Sequence, residues 1–271
     1  MRIAVTGGSG RVGTAVTAAA SAAGHEVLVL DRRAPAAPVP FLPVDLADHA
    51  EVRAALDGCD VLVHLGGIAG PEEAPEVEVH DTNVLASYHA LSAAAEVGIA
   101  RVVQASSINA VGATWSRRPQ FDYFPVDLEH PTRNEDGYSL SKWVAEQQAD
   151  SLTRRHAGLS VVSLRFHAFV PDRHAALENA ARHDDAWSAR GLWGYTTAAM
   201  LTSALLQACT VPVDGHERLF VVAPTVASEQ PSEDLRRRWY PDVPLRSPLD
   251  GATGFWDCRR TVELLGWDPT R

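Results

Sequence analysis

Tyr138 and Lys142 stand four residues apart in YSLSK, so on a helix a phenol and an ammonium share one face. A phenol with a pKa near ~10 is a poor base at neutral pH, but a neighbouring ammonium and a nicotinamide cation both favour the phenolate. The pair could then take or return an alcohol proton while hydride moves to or from a nicotinamide. Composition singles out the ammonium. Of the chain's 24 cations Lys142 is the one lysine, every other being arginine. A compact head that donates to ribose hydroxyls is a task a forked guanidinium does less well. Ser106 or Ser107, closing an apolar run at residues 101–107, supplies a hydroxyl to hold the reacting oxygen. An exposed helix pair has the same spacing; the coincidence with a glycine-rich turn and the Ser–Ser pair sets this one apart.

That turn is TGGSGRVG, residues 6–13, lying between an apolar strand pattern and a helical one. Its glycines at 7, 10 and 13 permit a tight turn and let backbone amides and a helix N-terminus approach a pyrophosphate. Asp31, eighteen residues after Gly13 at the end of a second strand pattern, can accept from adenine-ribose hydroxyls, which favours NAD. Arg32 and Arg33 follow it and could clamp a 2′-phosphate, which keeps NADP open. Asp45 suits either the adenine edge or an ordinary helix entry. HLGG, residues 64–67, places small residues where a cofactor backbone would pass.

The elements that must position these groups alternate short apolar runs with helical patterns, the signature of βαβ units and a parallel sheet. Strands are expected at 2–7, 26–31, 41–44, 60–67, 101–107 and 159–166. Helices are expected at 12–23, from Asp48 to near Gly58, at 75–97 and at 138–156. Residues 108–136, with Pro119, Pro125 and Pro131, read as a long functional loop. Beyond Val170 the pattern loosens: 178–193 is polar and irregular, 196–209 helical, 218–223 a strand. Ser232 is expected to cap a helix whose acids lead and whose Arg236, Arg237 and Arg238 close, a dipole-complementing order and not a binding patch.

At 271 residues, 46% hydrophobic, the chain can bury one large α/β core, and a net charge of -10 argues against nucleic acid as a partner. Cys59, Cys209 and Cys258 suggest neither a disulfide framework nor a zinc site, and no metal is expected. Met1-Arg2 runs straight into the first strand without a leader or membrane-length apolar stretch, so a soluble, cytoplasmic protein with no membrane partner is expected.

TGGSGRVG, Asp31, HLGG, Asn83-Val84 on the long helix, ASSINAVG and YSLSK together resemble the extended short-chain dehydrogenase/reductase superfamily, home of the NAD-dependent epimerases and dehydratases. The likeness covers about residues 1–165. It implies an α/β, Rossmann-type doubly wound parallel sheet with a small C-terminal substrate-binding lobe. Residues 1–165 would form the NAD(P)-binding domain with the Ser-Tyr-Lys site, and 166–271 a substrate-covering lobe interleaved with the last strands and helices. The family's active serine precedes the glycine closing the strand-five motif by five residues, which from Gly112 selects Ser107. Asn83 corresponds to the asparagine that steadies the strand-five region, giving a catalytic set of Ser107, Tyr138, Lys142 and Asn83. The implied cofactor set is Gly7, Gly10, Arg11, Val12, Gly13, Asp31, Arg32, Asp45, Leu46, Leu65, Gly66 and Gly67, with Tyr138 and Lys142. Ile68, Ser107, Ile108, Asn109, Arg165 and Arg173 are the implied substrate contacts.

Within that superfamily, HLGGI and the C-terminal part are most similar to the uronate dehydrogenases, which oxidise hexuronic acids at the anomeric carbon with NAD. The implied activity is hydride transfer between a nicotinamide and an alcohol or ketone of a small molecule, a sugar acid being one candidate. Ala69 replaces that group's serine and Ile108-Asn109 its Asn-His pair, while Trp115, Phe121, Tyr123 and Phe124 suggest a more apolar pocket. Ile108 and Asn109 also stand where dehydratases carry two acids, which discounts dehydration. A nucleotide-sugar epimerase retaining its NAD is the alternative; a non-catalytic NAD(P) sensor would not need Ser107, Tyr138 and Lys142. Relatives further imply a homodimer through the long helix and the helix of Tyr138. Arg165, Arg173 or Arg190 could meet a carboxylate or phosphate, although a structural ion pair is the commoner fate of such residues. Trp187 and Trp193 suit packing or a pocket wall.

Overall fold

The computed structural model describes residues 1–270. The first half runs β1 (Arg2–Thr6), α1 (Arg11–Ala22), β2 (Glu26–Asp31), β3 (Phe41–Pro43), α2 (His49–Ala55), β4 (Val61–His64), α3 (Glu76–Val97) and β5 (Arg101–Ser107). A 3-10 turn (Ile108–Val111) and a long connection lead to α4 (Gly137–Arg155), β6 (Ser160–Phe166), β7 (Phe169–Val170), α5 (Arg173–Ala181) and α6 (Asp185–Arg190). Then come β8 (Thr196–Thr197), α7 (Ala198–Ala208), β9 (His216–Val221), α8 (Ser232–Trp239) and α9 (Arg259–Leu265).

Seven strands form one sheet in the order β3-β2-β1-β4-β5-β6-β9, with every neighbouring pair parallel. Side-chain alternation assigns its faces. Ile3, Val5, Val27, Val29, Val61 and Val63 pack with Val16 of α1, Leu201 and Leu205 of α7 and Leu265 of α9. Ala4, Leu28, Leu30 and Leu62 pack on the other face with Val52 of α2, Leu91 of α3 and Leu152 of α4. This is the expected doubly wound α/β sheet. Strand order reverses between β1 and β4, and ligands of such sheets bind outside the carboxyl ends at that switch point. Asp48 caps α2 by accepting from the Ala50 and Glu51 amides, and Gly98, at φ +84, ends α3.

The C-terminal part differs more from the sequence expectation. The stretch expected to be irregular contains α5 and α6, each opened by an aspartate: Asp172 accepts from the Ala175 amide and Asp184 from that of Trp187. Ser232 does not cap α8. Pro231 holds that place, and the buried Ser232 hydroxyl donates to Thr253 O instead. Arg236 and Arg237 fold back on Glu233 and Arg238 reaches Asp185, so the basic run is tied within the fold.

The aromatic residues of 108–136 also divide. Phe121 and Phe124 are buried against Tyr240 and Phe255 in a third core, and Tyr123 donates to Asp127. Only Trp115 of the four expected there faces the cleft described below. Large rings next to a proline-rich segment signal burial as readily as a binding wall. Among the described residues no helix is long and apolar enough to cross a membrane, and no cluster of three or more His, Cys, Asp and Glu could hold a metal ion.

Candidate active site

At the carboxyl ends of β1, β2, β4, β5 and β6 a cleft of about 1310 Å³ opens between the sheet and residues 166–195. At one end lies the glycine turn. Gly7 has φ +65, and a Cβ there would meet Gly66 Cα at 2.8 Å, while one on Gly13 would meet Gly7 O at 2.2 Å. The turn thus packs backbone on backbone. Helix α1 opens at Gly10 with no side-chain cap and no acid in its first turn, which leaves the positive end of its dipole facing the cleft. Asp31 accepts from the Ser9 amide (Oδ2, 3.1 Å) and the Arg33 amide (Oδ1, 3.1 Å), tying the turn to the end of β2. Its remaining lone pairs, Arg32 and Arg33 border the same space. Arg11 crosses to β7, stacking on Phe169 and donating to its carbonyl. Asp45 lines the cleft but also accepts from the Ala47 amide, so its helix-entry role is real as well. Val12, Leu46, Leu65, Gly66 and Gly67 complete this end.

Thr6 braces the end of β4. Its Oγ1 accepts from the Leu65 and Gly66 amides, both at 3.2 Å, and meets His64 Nδ1 at 2.8 Å. With both acceptor positions used, the hydroxyl proton goes to His64 and the ring keeps its own on Nε2. Burial, then the Lys142 ammonium, push His64 down to about 3, so it is neutral. The one signal for His64 in the sequence is its place within HLGG.

Farther along, β5 and α4 bring the reactive groups together. Ser107, Tyr138 and Lys142 all line the cleft. Alternation separates the two serines: Ser106 points under the sheet and donates to Glu146 Oε1 at 2.6 Å, while Ser107 Oγ accepts from Asn109 N (3.1 Å) and Nδ2 (3.2 Å). Asn109 thus directs the Ser107 proton away from itself. Asp136 caps α4 by accepting from the Ser139 amide at 2.8 Å, and Glu76 accepts from the Gly137 amide at 2.9 Å, which fixes the turn carrying Tyr138. Burial pushes the Tyr138 phenol up to about 12; the Ser107 hydroxyl draws it down, and Asp136 and Glu73 raise it further. In the protein by itself the phenol is therefore a proton donor. Lys142 donates to Ala105 O at 3.2 Å, and its Nζ lies 5.8 Å from the Tyr138 ring centre. Desolvation brings it down to about 8 against the opposing pull of Glu146.

Three expected residues sit elsewhere or act differently. Arg165 faces α4 beneath the sheet, where Glu146 accepts from its Nε and Nη2, so it does not reach the cleft. Arg173 opens α5 with its side chain exposed and outside the cleft lining. Asn83 steadies the loop after β4, not β5: its Oδ1 accepts from the Ile68 amide at 2.7 Å and its Nδ2 donates to Ile68 O and Ser141 Oγ. Ile68, Ile108 and Asn109 do line the cleft. His167, Trp115, Trp187 and Trp193 stand with them, of which His167 was not foreseen.

Residues 3–209 match the NAD dependent epimerase/dehydratase family. A uronate dehydrogenase of Pseudomonas putida is 32% identical over 151 residues, 54% of this chain and 53% of that protein. An L-arabinose 1-dehydrogenase (NAD(P)(+)) of Haloferax volcanii is 32% identical over 170 residues, 60% of this chain and 65% of its own length. The chain thus spans less than two thirds of the curated relatives it matches. Among solved structures, MoeE5 in complex with UDP-glucose and NAD superposes with a TM-score of 0.74 at 22% identity, covering 98% of this chain and 93% of that one. This last likeness is one of fold.

Proposed function

This chain belongs to the NAD dependent epimerase/dehydratase family, and on that premise we propose that it is an NAD-dependent oxidoreductase acting on an alcohol or ketone carbon of a small molecule. The observation that carries the reading is the meeting of Ser107, Tyr138 and Lys142 in the cleft that begins at the glycine turn. The uncapped start of α1 and the Asp31 carboxylate suit the pyrophosphate and ribose of a dinucleotide. A nicotinamide dinucleotide bound there supplies the hydride donor or acceptor.

The chain's own groups do the rest. Tyr138 gives its proton to the substrate oxygen in reduction and takes it back in oxidation. The Ser107 hydroxyl, aimed by Asn109, holds that oxygen against the phenol. Lys142, anchored by Ala105 O, keeps positive charge under the phenol and has two further protons for ribose hydroxyls. Asn83 positions the loop carrying Ile68 over the same space. The relatives are named for uronate and L-arabinose oxidation, one substrate acidic and one neutral, so the names alone leave the substrate's charge open.

The test is Tyr138→Phe. We expect turnover, read as absorbance of reduced cofactor, to fall by about 10²–10⁴-fold with dinucleotide binding kept. An undiminished rate would remove Tyr138 from the mechanism. Cofactor that copurifies, with substrate converted and no net absorbance change, would favour an epimerase. We also infer self-association through α3 and α4, where Val77, Tyr88 and Leu140 remain exposed; a monomer by sedimentation would refute it.

A further inference from the structure

Beyond Tyr138, no guanidinium or ammonium lines the cleft. Among the described residues lining it, those groups are Arg11, Arg32, Arg33 and Lys142, and His183 stands exposed at the outer edge, its ring 5.3 Å from that of Trp187. Arg11 lies on Phe169 beside the glycine turn, Arg32 and Arg33 follow Asp31, and Lys142 faces Ala105 and His64. Arg165 is committed to Glu146, Arg173 is outside the cleft, and Arg190 stacks on Trp187 without lining the cleft. His167 does not substitute for them. Its Nδ1 accepts from the Ala168 amide at 2.6 Å, its Nε2 donates to Gly191 O at 2.8 Å, and burial pushes the ring down to about 4, which keeps it neutral. The rim carries the opposite sign: Glu72 and Glu73 are exposed and line the opening, and Glu73 is close enough to act on Tyr138.

Where a charge partner is missing, indoles and uncharged polar atoms stand. Trp115 meets Trp187 edge to face at 5.0 Å between ring centres. Trp193 lines the cleft from a turn in which Leu192 (φ 55) and Trp193 (φ 50) both adopt the left-handed region. Such a backbone persists only where its surroundings over-determine it. Here His167 does so: a Cβ on Gly191 or Gly194 would come within 2.9 or 2.6 Å of its ring. Asn109, a residue only 7% exposed, also belongs to the lining and brings no charge to it.

We propose that the substrate is an uncharged alcohol or ketone presenting an apolar, ring-like face, and that a carboxylate-bearing analogue is rejected. The proposal rests on the oxidoreductase reading for the reaction but not for the charge preference, and the test separates the two. Matched pairs, D-galactose with D-galacturonate and 1-phenylethanol with mandelate, are titrated into the NAD-saturated protein with tryptophan fluorescence as the readout. The neutral member should bind about tenfold or more tightly than its carboxylate in at least one pair, with neither pair inverted. Trp187→Ala, unchanged in melting temperature, should weaken the neutral ligand. Glu72→Gln with Glu73→Gln should narrow the gap by improving the anion severalfold.

Equal or tighter binding of the carboxylates overturns the proposal, as does failure of both neutral ligands to bind. Cofactor reduction is followed in the same solutions. Selective neutral binding without any reduction overturns the oxidoreductase reading and upholds the charge preference. Reduction that favours the carboxylates does the reverse.

Discussion

Arg165 grips Glu146 through two hydrogen bonds, Nε to Oε1 at 2.8 Å and Nη2 to Oε2 at 2.6 Å, with both side chains almost wholly buried between β6 and α4. Glu146 lies one turn beyond Lys142 on α4, and Arg218 and Ser106 donate to the same carboxylate. Burial alone would raise its carboxyl, but the Arg165 guanidinium, helped by Ser106 and Arg218, more than reverses this. Arg165→Met therefore leaves a buried carboxylate short of its main partner. Losing one partner of a buried pair costs roughly 3–5 kcal/mol, or about 10 °C in melting temperature for a chain of this size. Thermal melts and steady-state kinetics decide it: an unchanged melting temperature with a raised KM would return Arg165 to the substrate.

The dinucleotide preference turns on Asp31, whose two oxygens already order the Ser9 and Arg33 amides. A carboxylate there opposes a 2′-phosphate and accepts from a 2′-hydroxyl. NAD should raise the melting temperature more than NADP at equal concentration. Asp31→Ala should weaken NAD by about tenfold to a hundredfold, the value of one or two hydrogen bonds to a charged group. A larger shift with NADP in the unaltered protein would mean that Arg32 and Arg33 take the phosphate.

How much of this was legible in the sequence depended on whether a residue's partner was local. The sheet and its order of elements follow from short continuous apolar runs such as IAV and VLVL, and Asp48 and Gly98 mark helix ends through bonds within a few residues. The glycine turn, Tyr138 and Lys142 were legible because chemistry restricts both type and spacing, whereas Ser107 was told from Ser106 only by the family resemblance. For Arg165 the sequence left a substrate contact and a structural ion pair side by side, because the choice depends on Glu146, 19 residues earlier on another element. Phe121 and Phe124 were misread for a similar reason: Tyr240 and Phe255, the rings that bury them, are more than a hundred residues away. His167 was invisible because its role depends on the Gly191 carbonyl, and nothing beside it in sequence signals that contact.

Asn83 clamps one peptide from both sides, taking the Ile68 amide and giving to its carbonyl. Gly67 next to it has φ +146, and a Cβ there would lie 2.6 Å from Asn83 Oδ1. Asn83→Ala strands two backbone groups in a part-buried loop, at a cost of roughly 1–3 kcal/mol. We expect kcat to fall more than KM rises, because the loop over the reacting groups loses its register while the Asp31 end is untouched. Asn83→Asp keeps the acceptor but not the donor and should recover only part of the loss. Equal stability losses with unaltered kinetics would make Asn83 purely structural.

Lys142 supplies a prediction in which the sign matters. Desolvation lowers its ammonium to about 8, against 10.5 for the free side chain. Between those values the unfolded chain holds a proton that the folded protein has released, so unfolding free energy rises with pH across that window and is lowest below it. A fall from 10.5 to about 8 corresponds to up to about 3 kcal/mol, less where solvent screens the group. Tyr138, Cys209 and Cys258, all raised by burial to about 12, push the other way above their free values. The comparison must therefore be with Lys142→Met, in which those groups remain. Denaturant melts from pH 7.5 to 10.5 should show that variant more stable than the native chain at the acid end, with the gap closing as pH rises. Parallel curves would mean that the ammonium is as well solvated in the folded protein as in the unfolded chain.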